Sequence, residues 1–243
     1  MRRYMPLLLL AAAILQAAGG CALRTADSAP PEPEEPAETM QETAEPEIPL
    51  ETADPAPGTL PQPETEDFVL VAEYLPQVWV DLRYATENNF TGQIIYDFTD
   101  AYLRYGTVEK LAQVQAVLEK AGYSLLIWDA FRPVEAQFRL WEVCPDPVYV
   151  ANPETGYSSH SRGNTVDVTL TDLDGNAVEM PSGFDDFSPL ADRDYSGISP
   201  DAASNAQLLE DAMTDCGFRP YSGEWWHFTD TDDYPVEENF SPG

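Results

Sequence analysis

An abrupt change of composition at Asp67-Phe68 limits where this chain of 243 residues can fold. Residues 22–66 contain ten of the 22 prolines and twelve acidic residues, with a single Arg and no aromatic residue. Such a segment cannot bury enough apolar surface to offset the entropy lost on ordering, and proline and like-charge repulsion keep it extended. We therefore predict an acidic, proline-rich disordered tether at 22–66 and one folded domain at 67–243.

The first 21 residues are typical of an export signal. Arg2 and Arg3 supply a positive end, and the apolar run from Leu7 to Ala18 is too short to span a bilayer comfortably. Small residues then lead directly to Cys21, as in bacterial lipoprotein signals. The pattern predicts an exported protein, lipid-anchored through Cys21 on the outer face of the cytoplasmic membrane or in the cell envelope. An ordinary cleaved signal peptide with an incidental Cys is the alternative.

The charge of the chain excludes several classes of partner. Its net charge is −31, with 43 acidic residues against 12 Lys and Arg. Nucleic-acid binding requires clustered Lys and Arg, so a nucleic-acid partner is not expected. For the same reason the lipid on Cys21 is the only membrane contact that we predict, and no protein partner is predicted. Export would permit a disulfide between Cys144 and Cys216, and two separate buried thiols are the alternative.

Residues 67–243 mix strand and helix patterns without regular alternation. Alternation or short apolar runs predict strands at 78–84, 124–128, 165–171 and 224–228. Helical spacing and stop signals predict helices at 108–121, 133–141 and 205–216. We therefore predict an α+β domain with a mainly antiparallel sheet flanked by helices. The sequence contains no Gly-rich phosphate loop and no G-x-S-x-G nucleophile turn.

The chain has only two histidines, His160 and His227. A zinc hydrolase needs three protein ligands, an open position for water, and a free carboxylate that accepts the proton of the water. Asp167, on the strand predicted at 165–171, is suited to be the third ligand, and Glu224 is suited to be the base. Residue types alone leave other roles open, because a lone His is more often structural and Asp167 could be a surface or capping carboxylate. Trp225 and Trp226 are expected to be core residues.

Five segments, taken in order, resemble one enzyme family. Ser158 to Asp167 matches the S-x-H-x-x-G-x-x-x-D signature of the zinc D,D-peptidases, and Glu224 to His227 matches their E-x-x-H signature. The chain more narrowly resembles the D-alanyl-D-alanine dipeptidase family known from vancomycin resistance. The further segments that carry this resemblance are DLRYATENNFTG at 81–92, WDAFRP at 128–133 and GFD at 183–185. The resemblance spans roughly residues 68–240.

This resemblance implies a role for eight residues. One Zn²⁺ per chain is expected on the sheet, held by His160, Asp167 and His227. Glu224 corresponds to the general base and acid, and Arg132 to the arginine that stabilises the transition state. The residues implied to hold the amino end of the substrate are Ser158, Tyr84 and Asp185.

The resemblance also implies the reaction. It is zinc-dependent hydrolysis of the small dipeptide D-alanyl-D-alanine by metal-activated water, with Glu as general base, in cell-wall peptide turnover. Familiar members of the family act in the cytoplasm, whereas this chain is predicted to be exported. Scavenging of dipeptides released during wall turnover and trimming of wall peptides outside the cell are therefore both open as its role. The alternatives are a D,D-carboxypeptidase acting on peptidoglycan stem peptides and a non-catalytic wall-binding lipoprotein.

Overall fold

The computed structural model describes residues 62–147 and 149–242. The predicted signal peptide, Cys21 and the predicted tether up to residue 61 lie outside the described residues. Contacts within the domain begin slightly before the predicted start at 67, because Thr65 accepts a backbone hydrogen bond from Gly106 at 3.0 Å. Within the described ranges, no helix has both the length and the apolarity needed to cross a membrane.

The domain is built on a five-stranded sheet with the order β2-β4-β5-β7-β6. All neighbouring strands in it are antiparallel except β2 and β4, which are parallel. A separate antiparallel ribbon pairs β1 with β3. The strands are β1 Phe68–Leu70, β2 Trp79–Val80, β3 Tyr102–Arg104, β4 Tyr123–Asp129, β5 Thr165–Asp172, β6 Phe218–Tyr221 and β7 Glu224–Asp230.

Helices cover one face of this sheet and leave the other face for the site described below. The helices are α1 Val71–Tyr74, α2 Tyr105–Lys120, α3 Val134–Val143 and α4 Pro200–Asp215. Helices α2 and α4 pack against each other, α2 against β4, and α4 against β5, β6 and β7. The fully buried residues at this interface include Leu111, Val114, Leu118, Leu125, Val166, Val168, Leu209 and Met213. The predicted α+β class with a mainly antiparallel sheet is confirmed.

Several predicted elements differ in extent from those observed. The strand predicted at 78–84 is limited to Trp79–Val80, because the chain then turns and the carbonyl of Tyr84 accepts hydrogen bonds from the amides of Ile95 and Tyr96. Helix α4 starts five residues before the predicted start at 205, because Ser199 caps it through the amide of Ala202 at 3.1 Å.

The structure does not contain the disulfide that export would permit. Cys144 and Cys216 are both free thiols, and both are partly exposed rather than buried.

Candidate active site and metal centre

The pairing of three strands aligns acidic and imidazole side chains on one face of the sheet. Asp167 of β5 lies directly opposite Asp129 of β4 on one side and His227 of β7 on the other. The register of β4 and β5 shifts between Ile127 and Asp129. Because side chains alternate along a regular strand, Asp129 would otherwise share the helix-covered face with Ile127. This irregularity therefore brings Asp129 onto the face that holds Asp167.

His160 reaches the same point from a short 3-10 turn, Ser159–Arg162, just before β5. Ser158 caps this turn by accepting a hydrogen bond from the amide of His160 at 3.3 Å. Gly163 ends it in the left-handed region at φ 74°, where a Cβ atom would also come within 2.4 Å of the Phe68 ring. The Nδ1–H of His160 donates to the carbonyl of Ala130 at 2.9 Å, so in the neutral tautomer the lone pair of Nε2 is free for a metal.

The donor atoms of His160, Asp167 and His227 have the spacing that a tetrahedral ion requires. His227 Nδ1 lies 3.0 Å from Asp167 Oδ1 and 3.4 Å from His160 Nε2, and His160 Nε2 lies 3.5 Å from Asp167 Oδ1. A zinc ion about 2.0–2.1 Å from each ligand, with tetrahedral angles, separates its ligand atoms by about 3.3 Å. The three predicted ligands are therefore brought together, and their atoms and spacing fit a zinc ion.

The electrostatics of this group also suit a cation. Burial alone would raise the pKa of Asp167, but attraction to His160 and hydrogen bonds with both histidines hold it well below its usual range. Burial lowers the pKa of His160, and the attraction of Asp167 and Asp129 outweighs that effect and raises it. The carboxylates thus favour a positive charge at this point, which a divalent ion would supply in place of a proton.

Glu224 places a free carboxylate beside this group. Its Oε2 lies 3.6 Å from His227 Nδ1. Burial raises the pKa of Glu224, the charge of Asp167 raises it further, and His227 opposes the rise. A carboxylate with a raised pKa is a better proton acceptor near neutral pH than one in water.

Arg132 is fixed in the same cleft by partners that the sequence did not indicate. Its Nη2 lies 2.6 Å from Asp129 Oδ2, and its Nη1 donates to Gln137 at 2.8 Å. Tyr96 donates its hydroxyl hydrogen to the other oxygen of Asp129 at 2.7 Å. Burial lowers the pKa of Arg132, but Asp129 more than compensates, so the guanidinium stays charged. The sequence signal that could have predicted this ion pair is the position of Asp129, three residues before Arg132.

Next to Arg132, whose guanidinium lies 5.0 Å from the centre of the Tyr84 ring, the Tyr84 hydroxyl donates to Asp185 Oδ1 at 3.2 Å. Burial raises the pKa of Asp185 to about 8, and the charge of Asp167 adds to this rise. Asp185 has a φ of 56°, a strained value for a residue other than Gly. The neighbouring Asp186 instead accepts a hydrogen bond from the amide of Ser188. The geometry therefore places Asp185, not Asp186, in the cleft.

One cleft of about 300 Å³ unites all the predicted residues. Its lining includes Tyr84, Arg132, Ser158, His160, Asp167, Asp185, Glu224 and His227.

A family model described as D-ala-D-ala dipeptidase, Peptidase_M15, matches residues 64–242. The chain belongs to the Peptidase_M15 family. It is 38% identical over 165 residues to the D-alanyl-D-alanine dipeptidase of Escherichia coli K12, covering 68% of this chain and 85% of that protein. It is 35% identical over 189 residues to the D-alanyl-D-alanine dipeptidase of Enterococcus faecium, covering 69% and 94%. Membership of Peptidase_M15 confirms the prediction of a zinc metallopeptidase.

Proposed function

We propose that this Peptidase_M15 chain hydrolyses the free dipeptide D-alanyl-D-alanine. Its relatives carry that name, and Asp185 supports the assignment most directly. The Asp185 carboxyl group is partly buried in the cleft, where it accepts hydrogen bonds from the Tyr84 hydroxyl and, at 3.5 Å, from the Phe90 amide. Among the described residues it forms no ion pair with Lys, Arg or His. The ammonium group of a dipeptide supplies the counter-charge that this carboxylate lacks.

Each catalytic side chain has a distinct task in this reaction. A bound zinc ion would supply Lewis-acid chemistry, lowering the pKa of water from 15.7 to about 7. The carboxylate of Glu224 accepts a proton from the attacking water. The water oxygen then bonds to the peptide carbon, and negative charge grows on the carbonyl oxygen. When the C–N bond breaks, Glu224 delivers the proton to the leaving amine, and two D-alanine molecules result.

Arg132 acts on the charge that develops on the carbonyl oxygen. Its guanidinium is held by Asp129 and Gln137 before substrate arrives, so little reorganisation is needed during the reaction. An arginine suits this task because its charge does not change with pH.

The amino end of the substrate decides between a dipeptidase and a carboxypeptidase. An N-acylated peptide carries no ammonium, so at pH 8 and above its binding would leave the Asp185 carboxylate enclosed without a counter-charge. Sites built to bind a polar group can reject analogues that lack it by about 10⁴–10⁵-fold. A carboxypeptidase acting on stem peptides would instead need to accept a long acylated chain at this point.

The deciding experiment offers the zinc-loaded full-length protein free D-Ala-D-Ala and N-acetyl-D-Ala-D-Ala separately. We expect cleavage of the free dipeptide and at least about 10³-fold lower kcat/KM for the acetylated one. Preferential cleavage of the acetylated peptide would select the carboxypeptidase. No turnover of either peptide by a chain that binds zinc firmly would select the non-catalytic wall-binding protein.

Binding of the dipeptide is expected to depend on pH through Asp185. The pKa of Asp185 is raised to about 8, so it takes up a proton as the pH falls through that value. The α-amino group of a peptide loses its proton near pH 7.7–8.0, so the ion pair is most populated at about pH 8. We expect D-Ala-D-Ala to bind the inactive Glu224→Gln variant at least about tenfold more weakly at pH 6 than at pH 8, measured by titration calorimetry. Adding Asp185→Asn to the Glu224→Gln variant should abolish the weakening of binding at pH 6. Equal affinity of the Glu224→Gln variant at pH 6 and pH 8 would contradict the assignment.

The predicted location completes the proposal. An exported enzyme anchored through Cys21 would act on dipeptides released during cell-wall turnover, outside the cytoplasm. The acidic segment 22–66 would separate the domain from the membrane. Mass spectrometry of the native protein should show a diacylated Cys21 as the first residue, and a mature chain that starts elsewhere without lipid would remove the anchor.

A further inference from the structure

A second cavity of about 290 Å³ adjoins the catalytic cleft. Four residues line both spaces: Tyr149, Phe187, Tyr221 and Glu224. The rings of Tyr149 and Phe187 are only 4.4 Å apart, and 43% of Tyr149 and 52% of Tyr221 remain exposed to solvent. We call this second space the outer cavity.

The outer cavity adjoins the leaving-group end of the site. Its lining includes Glu224, which delivers a proton to the leaving amine in the proposed reaction. Its lining does not include Tyr84 or Asp185, which hold the ammonium group, or Arg132, which faces the carbonyl oxygen. A part of the substrate that occupies this space therefore lies on the C-terminal side of the scissile bond.

The outer cavity is large enough for a further amino-acid residue. A cavity of about 150 Å³ holds one benzene molecule, and the outer cavity is nearly twice that size. Its walls include three aromatic side chains together with Pro189 and Ala191. Aromatic walls of this kind suit the apolar portion of a ligand and leave its polar tip in water.

The charges around the outer cavity indicate which residue fits. Among the residues that the structure describes, Glu224 and Asp192 are the only charged ones in its lining, and neither Lys nor Arg lines it. Asp192 is exposed at the edge of the cavity. A carboxylate in this space would face two acidic groups, whereas an amide or an ammonium group would not be repelled.

We infer that the outer cavity is a subsite for a residue that follows the D-Ala-D-Ala unit, with a preference for a cationic side chain. This inference rests on the proposed dipeptidase activity and extends it to longer peptides. Water would add across the first peptide bond, so that the C–N bond breaks and a C–O bond forms. Glu224 would pass the proton to the amine of the departing dipeptide, giving D-alanine and a shortened peptide.

The test compares two amidated tripeptides with the zinc-loaded full-length protein. They are D-Ala-D-Ala-D-Lys amide and D-Ala-D-Ala-D-Glu amide, which differ in side-chain charge and carry no C-terminal carboxylate. We expect both to lose their first residue, with kcat/KM about threefold to fivefold higher for the lysine peptide, as for a partly exposed charge pair. Asp192→Asn should bring the ratio close to one, and Asp192→Arg should invert it. Asp174→Arg, an equal charge change at an exposed turn outside this cavity, should keep the original ratio.

The outcomes separate this inference from the proposed function. Cleavage of D-Ala-D-Ala with no cleavage of either tripeptide would overturn the subsite alone. Equal rates for the two tripeptides, unaffected by Asp192→Arg, would overturn the role of the outer cavity in choosing the third residue. Failure to cleave the dipeptide itself would overturn the proposed function and the subsite together.

Discussion

Replacement of Glu224 by Gln is expected to lower kcat for D-Ala-D-Ala by about 10²–10⁴-fold, the usual contribution of a general acid–base group. The amide keeps the shape of the side chain but cannot take up the proton of the attacking water. The carboxylate lies 3.6 Å from His227 Nδ1 and does not belong to the group of His160, Asp167 and His227. The variant should therefore still bind one zinc ion per chain, as measured by atomic absorption.

The control for this experiment is Glu238→Gln, which removes a charge of the same kind from a residue that does not line the cleft. Glu238 is bonded to the Tyr157 hydroxyl at 2.7 Å in an exposed position, and we expect normal turnover. Loss of zinc from Glu224→Gln would identify Glu224 as a metal ligand. Retention of both zinc and turnover would show that another group carries the proton.

Replacement of Arg132 by Ala is expected to reduce kcat by about 10²–10³-fold, the typical effect of removing one preorganised donor to a developing oxyanion. It should also destabilise the domain, because Asp129 would be left buried and without its cationic partner. Loss of one member of a buried ion pair typically costs about 3–5 kcal/mol. Kinetics with D-Ala-D-Ala and thermal unfolding measure these two effects separately.

A double variant distinguishes a catalytic Arg132 from one that serves only the ion pair. Asp129→Asn combined with Arg132→Ala removes both charges, so stability should recover in part while kcat stays low. Recovery of turnover together with stability would assign Arg132 a structural role. A single Asp129→Asn variant should lower kcat less than Arg132→Ala does, because the guanidinium remains present but is held less firmly.

The local motifs of the sequence indicated the residue types of the site. Two imidazoles, a carboxylate on a strand and a nearby second carboxylate are what zinc hydrolysis requires. The resemblance to a known family then related these residues to Arg132 and Asp185. Short-range signals, such as the apolar spacing of α2, also predicted the main helices, because helical hydrogen bonds join residues close in sequence.

Long-range strand pairing determined how these residues meet. In a regular strand, Glu224 and His227 would point to opposite faces, because they are three residues apart. The pairing of β6 with β7 skips from Phe228 to Glu224, and this irregularity allows both side chains to line the cleft. The register shift between Ile127 and Asp129 likewise brings Asp129, whose carboxylate holds Arg132, onto the face of the sheet that holds Asp167.

Local sequence signals therefore predicted the α+β fold class, the residue types suited to hold a metal ion, and Glu224 as the candidate proton acceptor. Three features became known only from the three-dimensional arrangement: Asp129 and Gln137 hold Arg132, Asp185 rather than Asp186 lines the cleft, and the outer cavity adjoins it. These features depend on strand register and on contacts between distant loops. Each such contact is set by the packing of the whole domain, and no local pattern of residues records it.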